Sequence, residues 1–120
     1  MSLNFEKLEV WQKSRKLAKD VYTAIADFPK YETYALGDQI RRAVISVPSN
    51  IAEGNGRSSL KVRVHFLGIV YGSLMEVYCQ ITLAVDFGYI TETVAEPIKR
   101  DIEDISRMIS GLSTYFRQRS

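Results

Sequence analysis

The sequence predicts an all-α fold, an antiparallel up-down-up-down four-helix bundle, on three observations. Apolar residues recur at three- and four-residue spacing through four long stretches, and no stretch alternates with period two. Glycine and proline are sparse, seven and three in 120 residues, and most stand at the ends of those stretches. The connections left between them are short, which favours antiparallel neighbours. The whole length suits a single domain over residues 1–120, with no internal repeat, linker or low-complexity tract.

The first helix is expected over about residues 8–27, with Leu8, Trp11, Ala18, Tyr22 and Ile25 on one face. Phe28-Pro29-Lys30 ends it, because the residue before proline disfavours the α region. The second is expected over about 33–53, stopping at Gly54-Asn55-Gly56. Pro48 falls inside it, removes the hydrogen bond to the Val44 carbonyl and costs on the order of 3 kcal/mol. A kink or short break near Val44–Val47 is therefore expected, or a bend that wraps the helix around the core. The third, about 58–87, is capped by Ser58 or Ser59 and closed by Gly88. The fourth, about 93–117, begins near Thr91 or Thr93, and Thr93 with Glu96 fits a capping box. Ile98, Ile102, Ile105, Ile109, Leu112 and Phe116 form its core face.

Composition narrows the function classes. With 46% hydrophobic and 25% charged residues the chain is no disordered tail. Its longest uncharged run, Phe66 to Met75, is shorter than the roughly 20 apolar residues that cross a bilayer. The start, Met1-Ser2-Leu3-Asn4-Phe5, lacks the basic and apolar regions of a signal peptide, and Met1-Ser2-Leu3 carry no functional weight. A soluble cytoplasmic protein without membrane contact is expected. Lone Cys79 sits in an apolar helical pattern and reads as a buried, inert thiol. The net charge is only +2, but Gln39 to Met75 hold five Arg or Lys and one acid, Glu53. Lys13, Arg15, Lys16 and Lys19 add to the first helix, and Arg117 and Arg119 to the C-terminus. Glu92, Glu96, Asp101, Glu103 and Asp104 make the start of the last helix acidic. The basic middle points to a polyanion; the acid-early, base-late order of the last helix suits its macrodipole and needs no ligand.

At about 100° per residue, Gln39, Arg42, Ser46, Asn50, Glu53 and Arg57 fall on one polar stripe beside the apolar line Ile40, Val44, Val47 and Ile51. Ser73, Glu76 and Gln80 recur on one face of the third helix and are expected to meet that stripe. Two roles fit: a structural network fixing register or subunit orientation, or a surface for a ligand or partner. If Arg42 is buried near Glu76 the two must pair, and Glu76→Ala is then expected to destabilise more than a surface substitution. For phosphate contact the candidates are Arg57, Lys61, Arg63 and His65, with Arg41. Gly54-Asn55-Gly56 leads into the start of the third helix, but the glycine spacing and Lys-Ser/Thr of a phosphate loop are absent. Tyr31, Tyr34, Tyr71, Tyr78, Tyr89 and Tyr115 offer stacking surfaces or, more ordinarily, packing; Trp11 reads as packing. Enzymatic readings fare badly. One histidine, no Glu-x-x-His and no nucleophile elbow leave no catalytic constellation, and no metal or cofactor is expected.

Four segments together carry a family resemblance: Phe5-Glu6-Lys7-Leu8-Glu9-Val10-Trp11-Gln12, Gln39-Ile40-Arg41-Arg42-Ala43, Ser46-Val47-Pro48-Ser49-Asn50-Ile51-Ala52-Glu53-Gly54 and Gly72-Ser73-Leu74-Met75-Glu76. Over essentially its whole length the chain resembles the four-helix-bundle proteins encoded by intervening sequences in bacterial 23S ribosomal RNA genes. That resemblance implies a ring-like homo-oligomer, most plausibly a pentamer. The family is also similar to the accessory protein of diversity-generating retroelements, a basic pentamer that binds nucleic acid and a reverse transcriptase. A non-enzymatic, nucleic-acid-associated accessory or scaffold protein is the expectation, with RNA or DNA as partner. Its rival is a protein-binding adaptor without nucleic-acid contact, and salt dependence separates the two.

Overall fold

A computed structural model describes residues 3–120 as four long helices; Met1 and Ser2, given no functional weight above, lie outside the described residues. They are α1 (Glu9–Ile25), α2 (Leu36–Asn55), α3 (Leu60–Asp86) and α4 (Glu92–Arg119), with a 3-10 turn at Asn4–Lys7 and one helical turn at Lys30–Thr33. Each expected helix is present, and the boundaries move for identifiable reasons. The second starts at Leu36 because Lys30–Thr33 forms its own turn and Ala35 leaves the helical region, with φ −115° and ψ −99°. It runs on to Asn55, so Gly54 lies inside the helix. Ser59, not Ser58, caps α3 by accepting from the Val62 amide at 3.2 Å. Thr91 does the same for Val94 at 3.2 Å; Thr93 lies within α4, and the expected Thr93–Glu96 box does not form the cap. Gly88 closes α3 at φ +78°, a conformation glycine adopts without Cβ strain.

No break interrupts α2 near Val44–Val47: the helix passes through Pro48 continuously. Val44, Val47 and Ile51 are all buried there, and packing of that face outweighs the lost hydrogen bond. Pro97 sits in the same way inside the second turn of α4.

Side-chain contacts fix the direction of α2 against α3 and of α3 against α4. Ser46 of α2 meets Ser73 of α3 at 2.9 Å, while Gly54, eight residues later, meets Phe66, seven earlier. Tyr78 lies under Lys99 and Phe116 under Arg63, so α3 and α4 also run oppositely. Lys16 reaches Asp101 at 3.4 Å between α1 and α4. The result is a ring in which α1 and α3 each pack against α2 and α4. Leu17, Ile40, Leu74, Ile81, Ile102, Ile105 and Ile109 are fully buried along its axis.

Two expectations about burial are corrected. Tyr22 is exposed, because the core face of α1 runs through Val10, Ser14, Leu17, Ala18, Val21 and Ile25; of the expected face Ala18 and Ile25 are buried, and Leu8 and Trp11 are partly buried against the core. Cys79 is exposed as well. Its apolar neighbours belong to a helix that is apolar on more than one side. Among the described helices α3 alone is long and apolar enough to cross a membrane, by length and composition, which the run Phe66–Met75 understates.

Candidate nucleic-acid interface

The antiparallel register divides the molecule into two halves. Residues 3–14, 46–73 and 106–120 form the end that holds the α2–α3 hairpin and the last turn of α4. They carry eight Lys or Arg and three Asp or Glu, a net +5. Residues 15–45 and 74–105 carry eight Lys or Arg and eleven Asp or Glu, a net −3. The four helix macrodipoles alternate around each end and largely cancel, so the side chains set the sign there.

At the basic end the hairpin is braced from within. Arg63 Nε donates to the Arg57 carbonyl at 2.6 Å, and its guanidinium lies 5.5 Å from the centre of the half-buried Phe116 ring. Arg63 also lines a cavity of about 80 Å³ with Leu8, Val10, Ile51 and Leu112. Its charge is therefore partly spent on structure. Arg57 lies 5.3 Å from the Phe66 ring centre and 3.8 Å from Glu53, and both members of that ion pair are about half exposed. Such a pair contributes little and leaves the guanidinium available to another anion. Lys61 and His65 are exposed, and their side chains make no hydrogen bond or ion pair among the described residues. Arg117 shares that freedom, while Arg119 stacks on Tyr115 with 3.5 Å between Cζ and the ring centre.

Arg41 does not join this group. It stands 14 positions before Asn55, the last residue of α2, roughly 21 Å along the axis from the helix end that leads to Arg57. There it donates to the Thr33 carbonyl and to Asp38, each at 2.5 Å, tying the Lys30–Thr33 turn to α2. Arg117 and Arg119 are the additions that fold makes to the sequence-derived set. The signal was the predicted topology itself, which returns the end of the fourth helix to the second hairpin.

The polar stripe resolves into a short network and a set of exposed groups. Ser46, Asn50 and Ser73 are half-buried: Asn50 Nδ2 donates to the Ser46 carbonyl at 2.8 Å and lies 2.9 Å from its Oγ, and Ser46 meets Ser73. Gln39, Arg42, Glu53 and Glu76 are exposed. The buried Arg42–Glu76 pair does not form; Glu76 instead accepts from Gln80 Nε2 at 3.2 Å. With Glu76 in solvent, Glu76→Ala is expected to shift the stability of the isolated fold by no more than about 0.5 kcal/mol.

The opposite end is knitted by aromatic and acidic groups. Tyr89 donates to Glu32 at 2.7 Å and packs against Phe28, Tyr31 and Phe87. Hydrogen bonding to Tyr31 and to Glu32 pushes the Tyr89 hydroxyl pKa well above its usual value. Among the described residues no group of three or more His, Cys, Asp or Glu could hold a metal ion.

These features define the class: a small all-α four-helix bundle whose chemistry is displayed on its surface, one end basic and the other acidic. The chain belongs to the 23S rRNA-intervening sequence protein family, whose family model matches residues 6–111. Its fold is also that of a solved protein of unknown function from the S23 ribosomal protein family of Bacteroides thetaiotaomicron. The two share 22% sequence identity with a TM-score of 0.78, over 87% of this chain and 97% of the other. Comparison with curated proteins finds no match.

Proposed function

We propose that this protein is a non-enzymatic scaffold that binds RNA or DNA phosphates through its basic end, several copies acting together. The observation that supports it most is convergence: Arg57, Lys61 and His65 from the hairpin and Arg117 and Arg119 from the last turn of α4 belong to one end of the bundle. Acids are scarce at that end, so the Lys and Arg of this group stay largely uncompensated. No base-reading element is involved; phosphate contact of this kind positions and holds without specifying sequence. A single copy offers few contacts. Assembly multiplies them, because each further copy binds a strand already held by its neighbour. The five-fold assembly implied by family resemblance would set that multiplicity.

The rival reading, a protein-binding adaptor, draws on the exposed tyrosines at the acidic end, where Tyr31 and Tyr34 are 75% and 85% exposed. Binding to a structured RNA and to duplex DNA at 50 and 200 mM salt, with mass from light scattering in the same sample, separates the two. About four phosphate contacts per bound unit predict roughly a 150-fold loss of duplex affinity between those concentrations. An assembly that binds neither polymer at low salt would leave the adaptor.

A further inference from the structure

The helix α3 carries two heptad-spaced stripes on opposite sides. Leu67, Val70, Leu74, Val77, Ile81 and Ala84 recur at three and four residues and are all buried in the core. Offset from them by two positions, about 200° around the helix, run Val62, His65, Ile69, Gly72, Glu76, Cys79, Leu83 and Asp86, every one exposed. A helix that serves only a four-helix bundle needs the first stripe alone. Gly72, with Gly68 a turn before it, adds a second oddity. A Cβ at either position would meet nothing within 4 Å, so no contact inside the chain requires glycine there. Each loosens the helix relative to alanine, and what a bare backbone offers in return is close approach by another helix.

We infer that this outer face of α3 is the seam through which copies of the chain assemble, with Arg42 of one copy meeting Glu76 of the next. The inference rests on the proposed assembly and names the surface that makes it. Charge chooses the occupant. Arg42 and Glu76 each stand about one turn beyond the Ser46–Ser73 bond, on α2 and α3, and so at the same height on the bundle. Both are exposed and neither has an ion-pair partner among the described residues. A face with one free Arg, two free acids and an apolar strip is unsuited to a polyanion, and Arg42 with Glu76 makes it complementary to a second copy of itself. The size is also sufficient. Twenty-seven residues give a strip about 40 Å long and about 10 Å wide, roughly 400 Å² before the flanks of α2 and α4 are added. Those flanks bring it toward the roughly 800 Å² per partner of a stable interface.

The test uses the full chain and sedimentation velocity over a concentration series, without nucleic acid. The wild type is expected to sediment as an oligomer. Gly72→Leu, whose Cβ would stand in open space on the isolated bundle, and Ile69→Glu are each expected to weaken association by about 30-fold or more while helicity persists. Arg42→Glu and Glu76→Arg are expected to weaken it singly by about tenfold and to restore it when combined. Cys79 supplies an independent readout: its alkylation is expected to slow in the assembled wild type and to recover in Ile69→Glu. The inference is overturned by a wild-type monomer at every concentration, by variants that keep the wild-type mass, or by Cys79 reacting equally fast in both. Recruitment of monomer to phosphatidylcholine vesicles would overturn it in favour of a membrane surface. Phosphate binding by the basic end stands or falls separately, because the Ile69→Glu monomer keeps Arg57, Lys61 and Arg117 and should retain weak, salt-sensitive binding to RNA.

Discussion

The two ends of the bundle hold the same number of cations, eight each, and differ in their acids, three against eleven. At the acidic end three of the eight cations are held in ion pairs, and the eleven acids of that half offset the rest. Arg41 ties down the turn before α2, Lys16 bridges Asp20 and Asp101, and Arg100 pairs with Glu96. At the basic end Lys61 and Arg117 face solvent with no ion-pair partner among the described residues. Counting basic residues therefore misleads. What turns a cation into a binding group is the absence of anything nearby to neutralise it, and register, more than composition, decides that.

Charge reversal tests that contrast with the largest expected effect. Replacing Arg57 and Lys61 with Glu should lower affinity for structured RNA by about 100-fold at low salt, measured by fluorescence anisotropy. The same exchange at Lys19 and Lys30, on the acidic half, should change it less than about threefold. Equal losses at both ends would erase the distinction.

Glycine provides the next contrast. A Cβ at Gly54 would lie 2.7 Å from Phe66 Cβ, so Gly54→Ala should destabilise by about 1–3 kcal/mol as the α2–α3 hairpin is forced apart. Gly68→Ala, in open space, should leave the isolated fold level or stabilise it by up to about 1 kcal/mol. Urea titration of both variants, at concentrations where the chain is monomeric, reads opposite signs if the hairpin is as close-packed as described. Arg41→Ala should cost about 1 kcal/mol and leave nucleic-acid binding unchanged, which separates a bracing arginine from a free one.

The smallest expected effect is a pH response at the acidic end. The folded Tyr89 hydroxyl holds its proton more tightly than the unfolded chain does, because it donates to Glu32 beside Tyr31. That preference supports the fold below the ordinary tyrosine pKa of about 10 and is lost as pH rises through the higher folded value. Thermal midpoints between pH 8 and 11 should therefore fall more for the wild type than for Tyr89→Phe. Parallel curves would remove Tyr89 from the account of that end.

Most of the fold was legible because each helix repeats its apolar residues near period 3.6 and ends at a recognisable cap. The stop at Gly54-Asn55-Gly56 falls where expected, with Gly56 as the cap, but only the approach of Phe66 reveals packing as the role of Gly54. Tyr22 failed because its neighbour Val21 takes the core position at that turn. Cys79 failed for a deeper cause, since a helix apolar on both sides gives periodicity no means of telling inside from outside. Of the candidate site, Arg57, Lys61, Arg63 and His65 were legible as neighbours in sequence. The brace made by Arg63, the separation of Arg41 and the arrival of Arg117 all depend on tertiary register, which composition does not carry.

The central claim is that uncompensated cations at one end grip phosphate, and the salt dependence of RNA binding tests it most directly. The slope of log affinity against log salt should be steep in the wild type. It should fall by at least one unit when Arg57 and Lys61 become Glu, with the sedimenting mass unchanged. A slope identical in the two proteins would contradict the claim, because the contacts releasing counterions would then lie elsewhere.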